Sequence, residues 1–260
     1  MKIIDLSEEH IATYFVCLED WSEEMKEAGD HKKIWYDQMK DKGLRVKLTI
    51  DDNNKVVGMI QYIPIEHSFA EGNDLYFILC IWVHGHNEGI GNFQKKGIGM
   101  ALLEAAEKNA RELGVKGIAA WGLSMPFWMR AKWFKKHGYT QVDKQSIQVL
   151  LWKPFTNDAI PPKWIRQKLT PKKERGKVIV TSFLNGWCPV QNIVFERVKR
   201  AASEFGENVE FREINTMDRE TFLKWGIVDG LFIDNVQVRT GPPPSYEKIL
   251  KKIAKRVKKL

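Results

Sequence analysis

The sequence predicts a protein of the mixed α/β (α+β) class, built from two α/β halves. In the first half an apolar run, Leu75–Val83, precedes a loop with two glycines, and a helical run, Met100–Leu113, follows it. In the second half a β-branched run, Lys177–Leu184, leads into an amphipathic run that ends near Phe205. Strands that alternate with helices in this way are typical of sheets covered by helices.

A basic segment between the halves predicts a domain boundary. From Lys153 to Lys177 there are eight Lys/Arg against two acidic residues, together with four prolines. A charged, proline-rich stretch without periodicity is typical of a linker. The expected organisation is therefore a first domain over 1–152, a linker over 153–176 and a smaller domain over 177–260.

The first half reads as a sheet preceded by two helices. Helical periodicity is expected over about Glu8–Lys26 and over His31–Lys40, and a strand over Arg45–Ile50. The Asp51-Asp52-Asn53-Asn54 turn joins this strand to the next, Lys55–Ile65, as a hairpin. After the glycine loop and its helix, the predicted elements are a short buried strand over 116–121, a helix over 126–137 and two further strands.

The glycine loop predicts an anion site. Glycines let backbone N–H groups approach an anion closely, and a helix N-terminus adds partial positive charge. The spacing matches neither G-x-x-x-x-G-K-[ST] nor G-x-G-x-x-G, which excludes a nucleotide P-loop. An ordinary strand–turn–helix with glycines at the turn remains the alternative. The loop residues are Gln94, Lys95, Lys96, Gly97, Ile98, Gly99 and Met100.

Two motifs in this half resemble those of the GNAT superfamily of N-acetyltransferases. Q-x-x-G-x-G at the start of an Ala/Leu-rich helix is similar to the coenzyme A pyrophosphate loop of that family. Farther along, a pattern like A-x-x-F-Y-x-K-x-G-F/Y closes a helix and enters a strand. The residues that fit it are Ala131, Trp133, Lys136, Gly138 and Tyr139. The predicted order helix–helix–β–β–β–loop–helix–β–helix–β–β also agrees with a GNAT fold over residues 1–152.

The resemblance implies direct transfer of an acetyl group from acetyl-CoA to an amine of a small molecule or peptide. It implies that strand 75–83 pairs with the pantetheine arm, with Ile81 and Val83 closest to it. Amides from Lys95 to Gly99 are then expected to hold the pyrophosphate. The expected cofactor-binding set is Ile81, Val83, Gln94, Lys95, Lys96, Gly97, Ile98, Gly99 and Met100.

Several residues are candidates for proton transfer. An amine of pKa near 10 must lose a proton before it attacks, and His84, His86 and Glu88 follow the strand directly. Cys80 is a further candidate; a solvated loop for the first three and a buried core position for the cysteine are the alternatives. Phe134 stands where the family has a tyrosine that protonates the thiol, an acid worth roughly 10²–10⁴ in rate. Its absence leaves open a CoA-binding protein that has lost catalysis.

The second half resembles a thioredoxin-like fold. Strand 177–184 and its helix are followed by a strand (Val209–Ile214), a helix (Arg219–Trp225), a hairpin (231–238) and a last helix. Trp187-Cys188-Pro189 opens the first helix, and Gly241-Pro242-Pro243-Pro244-Ser245 precedes the last one. In this order the segment is most similar to the YoaP-like C-terminal domain.

Redox chemistry is not the expected role of this half. The second cysteine of C-x-x-C is replaced by Gln191, and the groove proline of the resemblance is missing at Val228-Asp229. Cys188 at a helix N-terminus is still expected to be a somewhat acidified thiol. We expect a domain that shapes or presents the acceptor, with an interaction module or a thiol-dependent enzyme centred on Cys188 as the alternatives.

Composition limits the remaining classes. The net charge of +8 is concentrated in the linker and in Glu247–Leu260, where a solvated surface is favoured over nucleic-acid binding. No run of 18 apolar residues and no signal-peptide core is present, so no membrane association is expected. Three widely spaced cysteines predict reduced thiols in a cytoplasm. Neither a metal-ligand spacing nor a repeat occurs, and a homodimer is left open.

Overall fold

A computed structural model describes residues 1–126, 128–238 and 243–260 of the chain. It contains two compact units. The first comprises Met1–Trp21 and Gln38–Ile165, and the second comprises Ser22–Asp37 and Arg166–Leu260. The main division thus lies within the predicted linker, but a segment of the N-terminal half belongs to the second unit.

The first unit is built on a seven-stranded sheet. The strands of this unit are β1 (Lys2–Asp5), β2 (Arg45–Ile50), β3 (Val56–Pro64), β4 (Ala70–Glu71), β5 (Leu75–Val83), β6 (Gly117–Leu123), β7 (Thr140–Gln145), β8 (Gln148–Pro154) and β9 (Lys163–Trp164). The sheet order is β1-β2-β3-β5-β6-β8-β7, and β4 pairs separately with β9. Only β5 and β6 run parallel; the other neighbours in the sheet are antiparallel.

Helices cover this sheet because its central strands are apolar on both faces. Eight of the nine residues of β3 are buried, which is expected of a strand with a layer on each side. The helices of this unit are α1 (Ile11–Phe15), α3 (Ile98–Glu112) and α4 (Ala131–Lys136), whereas most of α2 (His31–Met39) belongs to the second unit.

Close approach of α3 to the sheet depends on a glycine. A Cβ on Gly58 of β3 would lie 2.9 Å from Ile98 Cγ2 and 3.1 Å from Leu102 Cδ1. Both partners lie on the apolar face of α3 and are buried, and each such side chain contributes about 1.5–3 kcal/mol through burial. The first turn of α3 is therefore held firmly against β3.

The second unit has a four-stranded sheet in the order β11-β10-β12-β13. Its strands are β10 (Val178–Leu184), β11 (Val209–Asn215), β12 (Gly230–Ile233) and β13 (Val236–Val238), and its further helices are α5 (Pro189–Ser203), α6 (Arg219–Trp225) and α7 (Tyr246–Val257). β10 is parallel to β11 and antiparallel to β12. The side chains of Asp218 and Ser245 cap α6 and α7. Ile249 and Ile253 of α7 join the core of this sheet.

The predicted helix over Glu8–Lys26 is wrong. The chain forms a short 3-10 turn, the five-residue helix α1 and a second 3-10 helix, Glu24–Ala28. Between them Cys17 and Leu18 have φ of 52° and 67°, values at which a right-handed helix cannot continue. The buried Leu18 side chain stabilises this turn, so a tertiary contact overrides the local helical pattern.

Other differences are smaller. The predicted helix over 126–137 is limited to α4, and Phe127 lies outside the described residues, as do Gly241 and Pro242. The short strand β1 was not predicted, because only its pairing with β2 distinguishes it from coil. Within the described residues no helix has the length and apolar composition to span a membrane.

Candidate active site

The strands β5 and β6 separate halfway along their length. They pair only from Leu75 to Ile78 and from Gly117 to Ala120, after which β5 continues beside β3 and β6 beside β8. One residue of β5 forms a bulge between the two halves, since Gln61 and Tyr62 of β3 face Cys80 and Ile78. Beyond Ile78 the edge of β5 that faces β6 has no strand partner in the described parts of the chain. An extended ligand can therefore pair with this edge in the manner of an added strand.

Trp121 of β6 lies at the start of this opening. Its indole N–H donates a hydrogen bond of 2.7 Å to the carbonyl of Leu79 in β5, and the ring is nearly buried. The contact holds the two strands at a defined separation where their backbone pairing ends. The ring of Trp128 packs against Trp121, with centroids 5.2 Å apart.

The two faces of β5 have different neighbours. Val83 lies opposite Gly58, and directly opposed residues share a face of the sheet, so Ile81 and Val83 point to the α3 side. Cys80 lies opposite Gln61, whose Oε1 accepts a hydrogen bond of 2.7 Å from the Tyr14 hydroxyl of α1. Two of the predicted cofactor residues thus share the α3 face, and Cys80 lies on the other face.

The glycine loop has the backbone conformation of an anion site. Lys95 and Gly97 have φ of 61° and 79°, and Gly97 caps α3 without a side chain that could accept a hydrogen bond. The N–H groups of Ile98, Gly99 and Met100 have no acceptor within the helix. A Cβ on Gly97 would meet nothing within 4 Å. This open helix N-terminus fits a phosphate group.

Two exposed lysines and one tryptophan complete the surroundings of this loop. Lys95 and Lys96 are exposed, and the ammonium of Lys96 lies 4.6 Å from the centre of the Phe93 ring. A Cβ on Gly99 would lie 3.6 Å from Trp133 Cζ2 and 3.9 Å from Val83 Cγ2. In the sequence Trp133 is recognisable only as a motif match, whereas the structure places its half-buried ring beside the loop.

His84 is buried and uses both ring nitrogens. Nε2 accepts a hydrogen bond of 3.0 Å from the Trp21 indole, and Nδ1 lies 2.7 Å from the carbonyl of Gly91. Since an indole N–H only donates and a carbonyl only accepts, the tautomer with a proton on Nδ1 satisfies both contacts. Neither nitrogen is left to take a proton from an amine, which favours a structural role over the predicted one.

The other proposed proton acceptors lie in different surroundings. Nε2 of His86 lies 3.3 Å from Glu19 Oε1, and its ring contacts Trp21 edge-on at 5.6 Å. Glu88 is exposed in the loop, whereas Cys80 is 5% exposed. The structure does not bring the four sequence candidates together around one point.

Phe134 is completely buried in α4. Its ring packs edge-on against Trp133 at 5.0 Å and against Tyr139 at 5.3 Å between centroids. Met125 and Trp128, which precede α4, are 44% and 38% exposed.

The second unit places Cys188 at the N-cap of α5. The half-buried carboxylate of Asp229 accepts hydrogen bonds from the Asn185 backbone N–H at 3.1 Å and from the Trp187 indole at 3.0 Å. Desolvation raises the pKa of Asp229 to about 6, although these two hydrogen bonds oppose the shift. The half-buried Cys188 forms no disulfide.

Comparison with known proteins agrees with the first unit. The pattern that defines the Acetyltransferase (GNAT) family matches residues 4–139, just over half of the chain. An uncharacterized N-acetyltransferase of Bacillus subtilis strain 168, YoaP, is 22% identical over 232 residues, which cover 86% of each chain.

Solved structures of similar proteins cover about 60% of this chain. The PaiA N-acetyltransferase of Thermoplasma acidophilum, in complex with coenzyme A, is 18% identical, with a TM-score of 0.43 over 60% of this chain and all of the other. The GNAT-family N-acetyltransferase YhbS of Escherichia coli, in complex with CoA, is 10% identical, with a TM-score of 0.45 over 63% of this chain and 88% of the other. Because the family pattern spans β1 to the end of α4, the chain belongs to the GNAT family of N-acetyltransferases, a class of acyltransferases that use acetyl-CoA.

Proposed function

We propose that this protein transfers the acetyl group of acetyl-CoA directly to an amine of a small molecule or peptide. The observation that carries the proposal is the geometry of β5, whose free edge runs from the β5–β6 opening toward the uncapped N-terminus of α3. The C-terminal half of this strand thus offers an edge for an extended ligand, and an anion site lies beside its end at Val83. That combination fits the pantetheine arm and the pyrophosphate of coenzyme A.

The cofactor residues follow from this placement. The pantetheine arm pairs with β5 past Ile78 and contacts Ile81 and Val83 on the α3 side. Amides from Lys95 to Gly99 hold the pyrophosphate, flanked by Gln94 and Met100. Trp133 joins this set, because its ring and the Val83 side chain both lie beside Gly99.

The reaction forms a C–N bond and breaks the C–S bond of the thioester. The amine lone pair attacks the acetyl carbonyl, the thiol leaves as thiolate or takes a proton, and the amine loses one proton. Holding the two reactants together contributes roughly 7–11 kcal/mol to lowering the barrier. A thiol of pKa about 8.5 leaves tolerably without an acid, which is consistent with the buried phenyl ring of Phe134.

We further propose that the second unit is a thioredoxin-like, YoaP-like domain that shapes or presents the acceptor. The support is its strand order, with β10 between a parallel and an antiparallel neighbour, and a cysteine at the N-cap of the following helix. The alignment with the Bacillus relative also extends over 232 residues, well beyond the length that the family pattern matches.

The experiment that tests the activity is an amine screen with the full-length protein. Acetyl-CoA is incubated with a panel of amines, peptides and amino sugars, and release of free CoA is followed with a thiol reagent. We expect release that depends on one class of amine and an acetylated product by mass spectrometry. Calorimetric binding of CoA without release by any amine would support instead a CoA-binding protein that has lost catalysis.

A further inference from the structure

The segment Ser22–Asp37 is held by the C-terminal unit, although it comes from the N-terminal half of the chain. It supplies buried side chains to that unit, among them Met25, Ala28 and Trp35, which are at most 8% exposed. Burial of this extent anchors the segment by several apolar side chains, each worth about 1.5–3 kcal/mol when fully buried.

A charged contact adds specificity to this docking. The guanidinium of Arg197 in α5 donates to Glu24 Oε1 at 2.8 Å, and to Glu27 at 2.7 and 3.2 Å. It also donates to the carbonyl of Pro244 at 3.2 Å, and Arg200 pairs with the same Glu27 carboxylate. The side chain of Arg197 is 9% exposed, whereas those of Glu24 and Glu27 are 51% and 29% exposed. The forked, charge-assisted bonds are therefore shielded from water on the Arg197 side.

The docked segment covers the loop that precedes Cys188. A Cβ on Gly186, which has φ of 93°, would lie 2.9 Å from the carbonyl oxygen of His31 and 3.2 Å from Trp35 Cβ. His31 Nε2 also lies 2.7 Å from Glu196 Oε1 on α5. The surface beside this cysteine is therefore already occupied by the protein's own chain.

Both ends of the segment continue into contacts with β5 or its C-terminal extension. Before the segment, the Trp21 indole donates to His84, which follows β5 directly. After it, the carbonyl of Gly43 accepts a hydrogen bond of 3.1 Å from the Tyr76 hydroxyl near the start of β5. Hydrogen bonds on both sides of Ser22–Asp37 therefore connect the chain to β5 or to the residue that follows it. β5 is the strand with which the cofactor is proposed to pair.

We propose that the C-terminal unit is an intramolecular clamp for Ser22–Asp37, and that this clamp positions the chain bordering the acceptor side of β5. The inference rests on the proposed function, in which the cofactor contacts the α3 face of β5 through Ile81 and Val83. An amine that attacks directly has to arrive from the side that the cofactor leaves open, where α1 and the chain to Trp21 lie. Arg197 acts as a positioning residue, through its bonds to Glu24 and Glu27 of the segment.

The test compares Arg197→Met with Glu27→Gln, a milder change at the same contact, in the full-length protein. Arg212→Met is the matched control, because Arg212 is ion-paired with Glu210 and Glu174 in the same unit and does not touch the segment. Three quantities are measured: amide hydrogen exchange of 22–37, calorimetric affinity for CoA, and KM and kcat for the best amine of the screen.

We expect Arg197→Met and Glu27→Gln to increase the hydrogen exchange of residues 22–37 and to raise the KM for the amine. For Arg197→Met the increase in KM should be about tenfold or more, which is equivalent to about 1.4 kcal/mol. CoA affinity should stay within about twofold of the unmodified value, which a general loss of folding would not allow. The control should change none of the three quantities.

Two results would contradict the proposal that the C-terminal unit acts as a clamp. Unchanged exchange in 22–37 for both variants would show that Arg197 does not hold the segment. Increased exchange with an unchanged KM for the amine would show that the clamp has no effect on the acceptor. Failure of the proposed function is distinguishable, because the unmodified protein would then release no CoA with any amine.

Discussion

At the scale of single residues, the proposed cofactor loop depends on its glycines for the approach of an anion to α3. Gly97 has φ of 79° and open space where a Cβ would be. Gly114, at the other end of the same helix, has φ of 77° and equally open space. The two positions therefore carry the same backbone strain on substitution, about 1–2 kcal/mol, but only one adjoins the proposed site.

We expect Gly97→Ala to weaken CoA binding by about tenfold or more, because the methyl group and the strained backbone move amides away from the pyrophosphate. Gly114→Ala should lower stability by a similar amount and leave CoA affinity unchanged. Calorimetry with CoA and thermal unfolding measure both quantities. Equal CoA affinities in the two variants would refute the assignment of the loop.

Phe134 tests whether a missing acid limits turnover. Restoring a hydroxyl with Phe134→Tyr should keep or raise kcat for the best amine, since a positioned acid accelerates thiol departure. Because the ring is fully buried, a hydroxyl without a partner should also cost about 1–3 kcal/mol of stability. If activity disappears while circular dichroism shows a folded protein, the acid lies elsewhere.

Asp229 makes the stability of the second unit depend on pH. Its folded pKa of about 6 lies above the value of about 3.9 for an unfolded chain. The folded state therefore binds a proton at Asp229 more tightly than the unfolded state, and the bound proton stabilises the fold. This contribution to stability is fully present below about pH 4 and is lost as pH rises through about 6.

The measurement is the free energy of unfolding in urea, compared between the unmodified protein and Asp229→Asn from pH 4 to pH 7. Relative to the variant, the unmodified protein should lose about 2–3 kcal/mol of stability over that range. A constant difference between the two proteins would mean that Asp229 does not titrate there.

At the scale of elements, the separation of β5 from β6 depends on Trp121. We expect Trp121→Phe to leave the Leu79 carbonyl without its donor, which costs about 1–3 kcal/mol. The opening would no longer be held at its present width, so the KM for acetyl-CoA should rise. Thermal unfolding and steady-state kinetics measure the two effects; an unchanged stability would argue against the role of this hydrogen bond.

At the scale of the whole molecule, the two units are not consecutive in the sequence, because the second unit includes Ser22–Asp37 from the N-terminal half. A protein truncated after Ile165 keeps β5, the loop and α3, so it should still bind CoA. Its Ser22–Asp37 segment would lose the partners that bury it, and trypsin should then cut at Lys26 or Lys32 much faster than in the full chain. Resistance of this segment in the truncated protein would contradict the division of units.

Most of the secondary structure followed from local pattern. The predicted bounds agree closely with the structure for β2, β5, α6 and the glycine loop. Apolar periodicity and the placement of glycines, on which these predictions depend, are local signals. The helix predicted over Glu8–Lys26 failed where Leu18 is buried in a turn, since burial of one side chain outweighs a weak helical preference.

The sequence by itself determined the family and the class of cofactor, and it predicted the position of the anion loop, since each depends on residues that lie near one another in the chain. Only the tertiary structure decided that His84 has both nitrogens occupied, that Trp133 lies beside Gly99, and that Ser22–Asp37 belongs to the second unit. The physical reason is that these facts depend on contacts between residues far apart in sequence. Such contacts are selected by burial and hydrogen bonding in the folded chain, and a local pattern does not encode them.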